Sequence, residues 1–243
     1  MIQLKAIACC LIFLLGSLQE VVSARRRVSS GGVNITPDAF ANSSVVFSGT
    51  TISWSHTVGA GSHSFLYVSL AGAATTGAAS ATCTYNSVSM TFLASKIDGG
   101  NGDAVAAFKL VNPTTGTNTV SCTWGATIST LIGQSSSWFG VNQVTPNRTP
   151  FTANNGGSAA LSPTAVVVSN AVANDVVLDT TQVFVNPIAV GSGQTTRFLR
   201  NNVGGNNWGF GNSSEGASGS TTMSWTYSGT RFWAAIGVAL IPG

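Results

Sequence analysis

"TISWSHTV", residues 51–58, places Ile52, Trp54, His56 and Val58 on one side of an extended chain and Thr51, Ser53, Ser55 and Thr57 on the other. Side chains of a strand alternate between its two faces, so this pattern marks a half-buried antiparallel strand. Threonine suits the wet face because its branched Cβ fits the pleat. The same period returns in "NTVSCTW", residues 118–124, with Val120, Cys122 and Trp124 inward. It returns again in "TTMSWTYS", residues 221–228, with Met223, Trp225 and Tyr227 inward. Past residue 28 there is no sustained helical period.

Working outward, further strands are predicted at 45–47, 65–71, 81–85, 88–94, 104–110, 131–141, 165–170, 176–183 and 195–199. Turn chemistry separates them: "VGAGSH", "DGGNGD", "VNPTTGTN", "NNGGS", "VNPIAVGSG" and "VGGNN". Many short strands with Gly, Asn and Pro turns predict an all-β, antiparallel two-sheet sandwich, jelly-roll-like. No linker-like shift in composition interrupts residues 28–243, which read as a single domain.

The chain has 243 residues, 44% of them hydrophobic, enough for a large core. Only 7% are charged, against about 25% in an average globular protein. Hydroxyls and amides therefore carry the surface, as in extracellular or assembled proteins. The net charge of +3 is concentrated at Arg25, Arg26 and Arg27. Beyond them Lys96, Lys109, Arg148, Arg197, Arg200 and Arg231 balance Asp38, Asp98, Asp103, Asp175, Asp179 and Glu215. A neutral body without a basic stripe argues against a nucleic-acid partner.

Residues 1–24 read as a signal peptide: Lys5, an apolar run from Ala6 to Leu15, and Val22-Ser23-Ala24 as the cleavage site. That run is too short to span a bilayer, and the mature chain holds no transmembrane segment. Residues 25–27 are a basic spacer or a second processing site. The C-terminal run Phe232–Ile241 has the minimum length of a lipid-anchor tail. It reads better as a final core strand. The expected location is extracellular.

Secretion makes Cys83 and Cys122, the pair left after the leader, a disulfide. Both point inward by parity. In a eukaryotic host, Asn34, Asn42, Asn147 and Asn212 head N-glycosylation sequons.

Three stretches stand together: "TISWSHTVGAGSHSFLYVSL", "VTPNRTPFTANNGGSA", and "GSGQTTRFLR" followed by "SSEGASGSTTMSWTYSGTRFWAAIGVAL". As a set they resemble a secreted β-sandwich domain that recurs in bacterial extracellular and phage surface proteins. The resemblance implies a sandwich used as a surface or fibre module and carries no catalytic residues. The chain departs from it in the Cys83 and Cys122 pair, and no tandem repeat is evident.

Candidate sites follow from residue types. In "NNVGGNNWGFGN", Asn206, Asn207, Trp208 and Phe210 combine amides with an aromatic plate suited to a sugar. Arg197, Glu215 and Arg231 are placed to form a structural ion pair within a nearly charge-free chain. Asp98, Asn101 and Asp103 in "DGGNGD" are oxygen donors for calcium, although a Gly-rich hairpin explains them without metal. His56, on an apolar face, reads as a hydrogen-bonded core histidine beside Trp54. No cofactor is called for. Six scattered acids and the lack of a Gly-x-Ser-x-Gly elbow argue against an enzyme. The expectation is a secreted, non-enzymatic structural or adhesive module whose partner is itself, as oligomer or fibre. The alternative is a lectin-like module for surface glycans, and a third is a hydrolase with an unrecognised site.

Overall fold

A computed structural model describes residues 34–73, 76–156, 158–184, 188–203 and 208–243. The expected leader and the Arg25–Arg27 segment lie outside the described residues. The antiparallel two-sheet sandwich is present, and it is present twice.

The first half contains β1 (Thr36–Asn42), β2 (Val46–Val58), β3 (Phe65–Ala73), β4 (Thr82–Tyr85), β5 (Val88–Ser89), β6 (Thr91–Ile97), β7 (Asp103–Val111) and β8 (Gly116–Phe139). The second contains β9 (Phe151–Asn154), β10 (Ala160–Leu161), β11 (Thr164–Val168), β12 (Val176–Val183), β13 (Ile188–Val190), β14 (Thr195–Val203), β15 (Trp208–Gly216), β16 (Thr221–Tyr227), β17 (Thr230–Arg231) and β18 (Trp233–Leu240).

β8 is 24 residues long and serves two layers. Its first part pairs with β2 on one side and β4 on the other. Between its pairings Thr51↔Thr123 and Gly49↔Ile128, β8 advances five residues while β2 advances two. That irregularity turns the strand into the next layer, where it pairs with β1 and β3. The burial pattern records the turn: alternate residues are exposed up to Thr123, and Thr130–Trp138 is buried throughout.

Strand order in the first half is thus β2-β8-β4-β5 outside and β1-β8-β3-β7-β6 inside. The second half runs β11-β16-β13 outside and β9-β18-β12-β15-β14 inside. Apart from β5, which has no counterpart, the two orders correspond strand for strand, with β16 and β18 taking the parts of the two segments of β8. A repeat invisible in the sequence is therefore explicit in the topology.

Three apolar cores separate the four layers. Ile52, Trp54, Leu66, Leu70, Phe108 and Trp124 fill the outer core of the first half. Val166, Val177, Met223, Trp225, Trp233 and Ala235 fill that of the second. Between the inner sheets, Phe65, Tyr67, Trp138, Leu178, Trp208 and Ile236 form a central core. Inner strands touch a core on each face, so β18 is buried at every position. The C-terminal apolar run is accordingly a core strand. Both halves belong to one compact unit, Val33–Gly243.

The disulfide forms between Cys83 and Cys122, directly opposite one another on β4 and β8 with Cα atoms 4.1 Å apart. It lies in the outer core of the first half. The second half has no counterpart.

Candidate functional site

The aromatic plate expected for a sugar is withdrawn into the protein. Trp208 and Phe210 are 1% and 0% exposed and belong to the central core. Asn206 and Asn207 lie outside the described residues. The glycines that made this segment look like a loop are packing devices of β15. A Cβ on Gly209 would stand 2.6 Å from Ile188, and one on Gly211 would stand 2.5 Å from the Trp225 ring. Their missing side chains let the outer layer approach, which turns residues 208 and 210 to the opposite face.

The ion pair expected among Arg197, Glu215 and Arg231 does not form. Arg197 lies at a bulge of β14, donates to Ser214 Oγ at 2.7 Å, and stands over the Phe40 and Trp138 rings at 5.1 and 5.3 Å. Arg231 is on β17, paired with β10, and donates to the Thr230 carbonyl. Glu215 is on β15, opposite Val177. Among the described residues the ion pair is Arg148 with buried Asp175.

The calcium candidates are also committed elsewhere. Asp98 is fully buried, and its Oδ1 accepts the backbone N–H groups of Gly100, Asn101 and Gly102 at 3.0–3.1 Å. It thereby closes the hairpin that the Gly-rich turn foretold. Asp103, also buried, accepts from Gln182 Nε2 of the other half at 3.0 Å. Burial first, and the neighbouring Asp98 charge second, push its pKa up to about 7. The Gln182 donor offsets part of that rise. The part that Asn101 plays is through its backbone, not its side chain. No group of three or more His, Cys, Asp or Glu is gathered among the described residues.

His56 sits at the centre of a buried chain of hydrogen bonds. Ser137 Oγ donates to Asp38 Oδ2 at 2.6 Å. Its oxygen must then accept from His56 Nε2, 3.0 Å away. Nδ1 is left as the acceptor for Ser135 Oγ at 2.9 Å, and Ser135 in turn accepts from the Trp54 indole at 2.8 Å. Burial pulls the His56 pKa down to about 4, with Asp38 opposing. The imidazole is therefore neutral at physiological pH, as expected of a core histidine. A hydrolytic relay needs the imidazole between carboxylate and serine, so that it can take the serine proton. Here the serine lies between them and its proton is already given to Asp38.

The buried polar centre of the second half is Asp179, on β12, the counterpart of β3 and not of the strand that carries His56. It is fully buried, accepting from Ser213 N at 2.6 Å, Ser213 Oγ at 2.8 Å and the Trp225 indole at 2.6 Å. Burial raises its pKa to about 7 against the pull of those donors. Neither alternation nor spacing singled this residue out. A lone Asp in an apolar strand, "VVLDTTQV", was the available signal.

The sequons divide by environment. Asn34 and Asn42 are exposed. Asn147 is half-buried and accepts from Lys109 Nζ at 2.6 Å. Asn212 is fully buried and donates to the Asp179 carbonyl, which removes it as an acceptor of glycan on the folded protein.

What the surface offers is a sheet of hydroxyls. On the outside of the first half, Thr51, Ser53, Ser55 and Thr57 of β2 face Thr123, Ser121, Thr119 and Thr117 of β8. Thr82 and Thr84 of β4 extend the rows. The strands repeat at about 4.8 Å across the sheet and the residues at about 6.7 Å along it, so the hydroxyls form a lattice. Thr57 and Thr117 are already hydrogen-bonded at 2.8 Å. A shallow depression of about 300 Å³ opens on this face, lined by Val46, Thr51, Ile52, Ser53 and Ser121. No charged side chain interrupts these strands: β2 carries only the inward His56, and β8 carries none. Among the described residues no helix is long and apolar enough to cross a membrane.

No family model matches the chain, and no curated protein matches it. Among solved structures it is similar to a chain from the triple jelly roll fold and turret assembly of an archaeal virus, with 13% identity and a TM-score of 0.27. That match covers 90% of this chain and 62% of the viral one. A chain of Sulfolobus Turreted Icosahedral Virus matches with 13% identity, a TM-score of 0.23, and coverage of 87% and 61%. The chain thus spans about six-tenths of the length of these viral chains. A chain of the plant peptide RALF23 complex with FER and LLG2 matches with 7% identity, a TM-score of 0.23, and coverage of 88% and 90%.

Proposed function

We propose that this chain is a secreted, non-enzymatic structural or adhesive module that acts through its outer hydroxyl sheet and associates with itself. One observation carries the reading: the face of β2, β8 and β4 is a broad array of Ser and Thr without a charge. Such a surface loses little by giving up its water, because hydroxyls exchange one hydrogen bond for another. It also lacks the like charges that keep most proteins apart. The groups that chemistry would need support the same reading. His56, Asp98, Asp103 and Asp179 are buried, and their bonds hold loops and layers together.

Sedimentation over a wide concentration range tests this. Association should grow with concentration and stay nearly constant between about 0.05 and 1 M salt, since screening acts only on charge. A monomer at every concentration, with no retention on hydroxylated surfaces, would defeat the reading. So would turnover on a substrate panel that a single acidic substitution abolishes.

A further inference from the structure

Among the described residues, and leaving aside the two-stranded β10–β17 ladder, the four layers present eight sheet edges, and seven carry devices that discourage pairing. β1 carries Pro37, Asp38 and a bulge. β6 has a bulge and Lys96. β14 has two irregularities, Arg197 and Arg200. β5, β9, β11 and β13 are two, four, five and three residues long, and Pro163 precedes β11. Short strands, bulges, proline and charge are the usual means by which proteins protect an edge.

β2 keeps a long run free of these devices. It is thirteen residues long, pairs with β8 on one side, and holds no Pro, Lys, Arg, Asp or Glu. Its irregularity lies at Gly49–Thr51, which leaves Thr51–Val58 as a regular run. Half of the backbone N–H and C=O groups along such a strand point away from its neighbour.

We propose that the free edge of β2 pairs antiparallel with the same edge of a second copy, joining two outer sheets across a two-fold axis. The inference rests on the self-association reading and names its contact. A two-fold axis sets each residue against the image of the residue equally far on the other side of the axis, and residues at the axis against their own images, so like charge along the edge would repel. β2 is uncharged. Its outward residues would meet as Ser and Thr pairs, the pairing already made between Thr57 and Thr117. Its inward residues, Ile52 and Trp54, would continue the outer core across the junction. A β-strand is the partner that satisfies a row of unpaired backbone groups.

The test uses the mature chain with Ser53→Lys and Ser55→Lys together. Both positions are exposed, so far-ultraviolet dichroism and thermal melting should match the wild type. The wild type should sediment as a dimer, and the Lys variant as a monomer with at least tenfold weaker association. The matching Ser53→Glu and Ser55→Glu variant should be monomeric alone and should restore the dimer when mixed with the Lys variant. Lysines at Thr222 and Thr226, on the outside of the second half, should leave the dimer intact. An undiminished Lys-variant dimer would overturn this contact while leaving self-association standing. A wild type that stays monomeric overturns both.

Discussion

The two halves share one strand order and centre it on opposite chemistry. In the first, a neutral imidazole links Ser137 to Ser135 and the Trp54 indole. In the second, a carboxyl group takes the Ser213 donors and the Trp225 indole. Each outer core thus pairs a tryptophan N–H with a buried polar group, and the group differs in kind. The first half adds a disulfide, and the second has none. A buried donor without an acceptor is costly, so the groups that answer Trp54 and Trp225 hold their layers together, and they differ in kind, whereas the Trp208 and Trp233 indoles have no hydrogen-bond partner among the described residues.

The sharpest way to break the comparison is to remove the indoles. Trp225 is fully buried and Trp54 is 8% exposed. Trp225→Ala should cost about 4–5 kcal/mol, from lost packing together with an Asp179 carboxyl stripped of a donor. Trp54→Ala should cost less, about 3 kcal/mol, since Ser135 keeps its bond to His56. Urea unfolding of each variant measures both values. Equal losses would mean that the answering group is irrelevant.

Replacing Cys83 and Cys122 with Ala comes next. The bridge closes a separation of 39 residues, worth about 3–4 kcal/mol in the chain-entropy view. Hydrogen exchange should quicken in β2, β4 and the first part of β8 and leave β11, β13 and β16 little changed. Uniform loss of protection would show that the halves open as one unit.

pH should act on the two centres in opposite senses. Asp179 keeps its proton in the fold up to about 7, whereas the unfolded chain loses it near 4. Its contribution is complete below about 4 and is lost as pH rises to 7. Asp103 has the same sense. His56 refuses a proton until about 4, whereas the unfolded chain accepts one near 6.5, so its contribution is lost as pH falls between those values. Asp179→Asn should flatten the decline toward neutral pH by about 4 kcal/mol at most, and His56→Gln the decline toward acid by about 3 kcal/mol at most. Unfolding free energies between pH 4 and 8 would show it. Curves that remain parallel to the wild type would remove these groups as the cause.

How much of this was legible in the sequence depended on how many faces a strand buries. β2, the first part of β8, and β16 have one wet face, and their alternation identified inward Ile52, Trp54, His56, Cys122 and Trp225 correctly. Inner strands touch two cores and lose the alternation. "FLYVSLAGA" and "WAAIGVAL" say strand, but not which residues face which layer. The second sandwich was hidden for that reason. The sugar site failed for a related one: Gly209 and Gly211 resemble a flexible loop unless the Ile188 and Trp225 side chains above them are known. The ion pair failed although Arg197 and Glu215 lie on the paired strands β14 and β15: at its bulge Arg197 is turned to Ser214 Oγ and the Phe40 and Trp138 rings, and Arg231 is on the separate β10–β17 ladder.

The smallest expected effect bears most directly on function. The outward face of the first half is hydroxyl in each row, whereas the second sets Thr222 against Val167, Ser224 against Ala165 and Thr226 against Ala189. If the fold required the hydroxyls, the second half would not tolerate this mixture. Val167→Thr and, on the first half, Thr119→Val should each change stability by less than about 0.5 kcal/mol. Thermal melting checks both. Thr119→Val should nevertheless weaken retention on hydroxylated surfaces, while Val167→Thr should not. A hydroxyl that leaves stability unchanged but alters retention is present for what it meets outside the chain. A large stability loss in Thr119→Val would instead make the lattice part of the scaffold and return the function to an open choice.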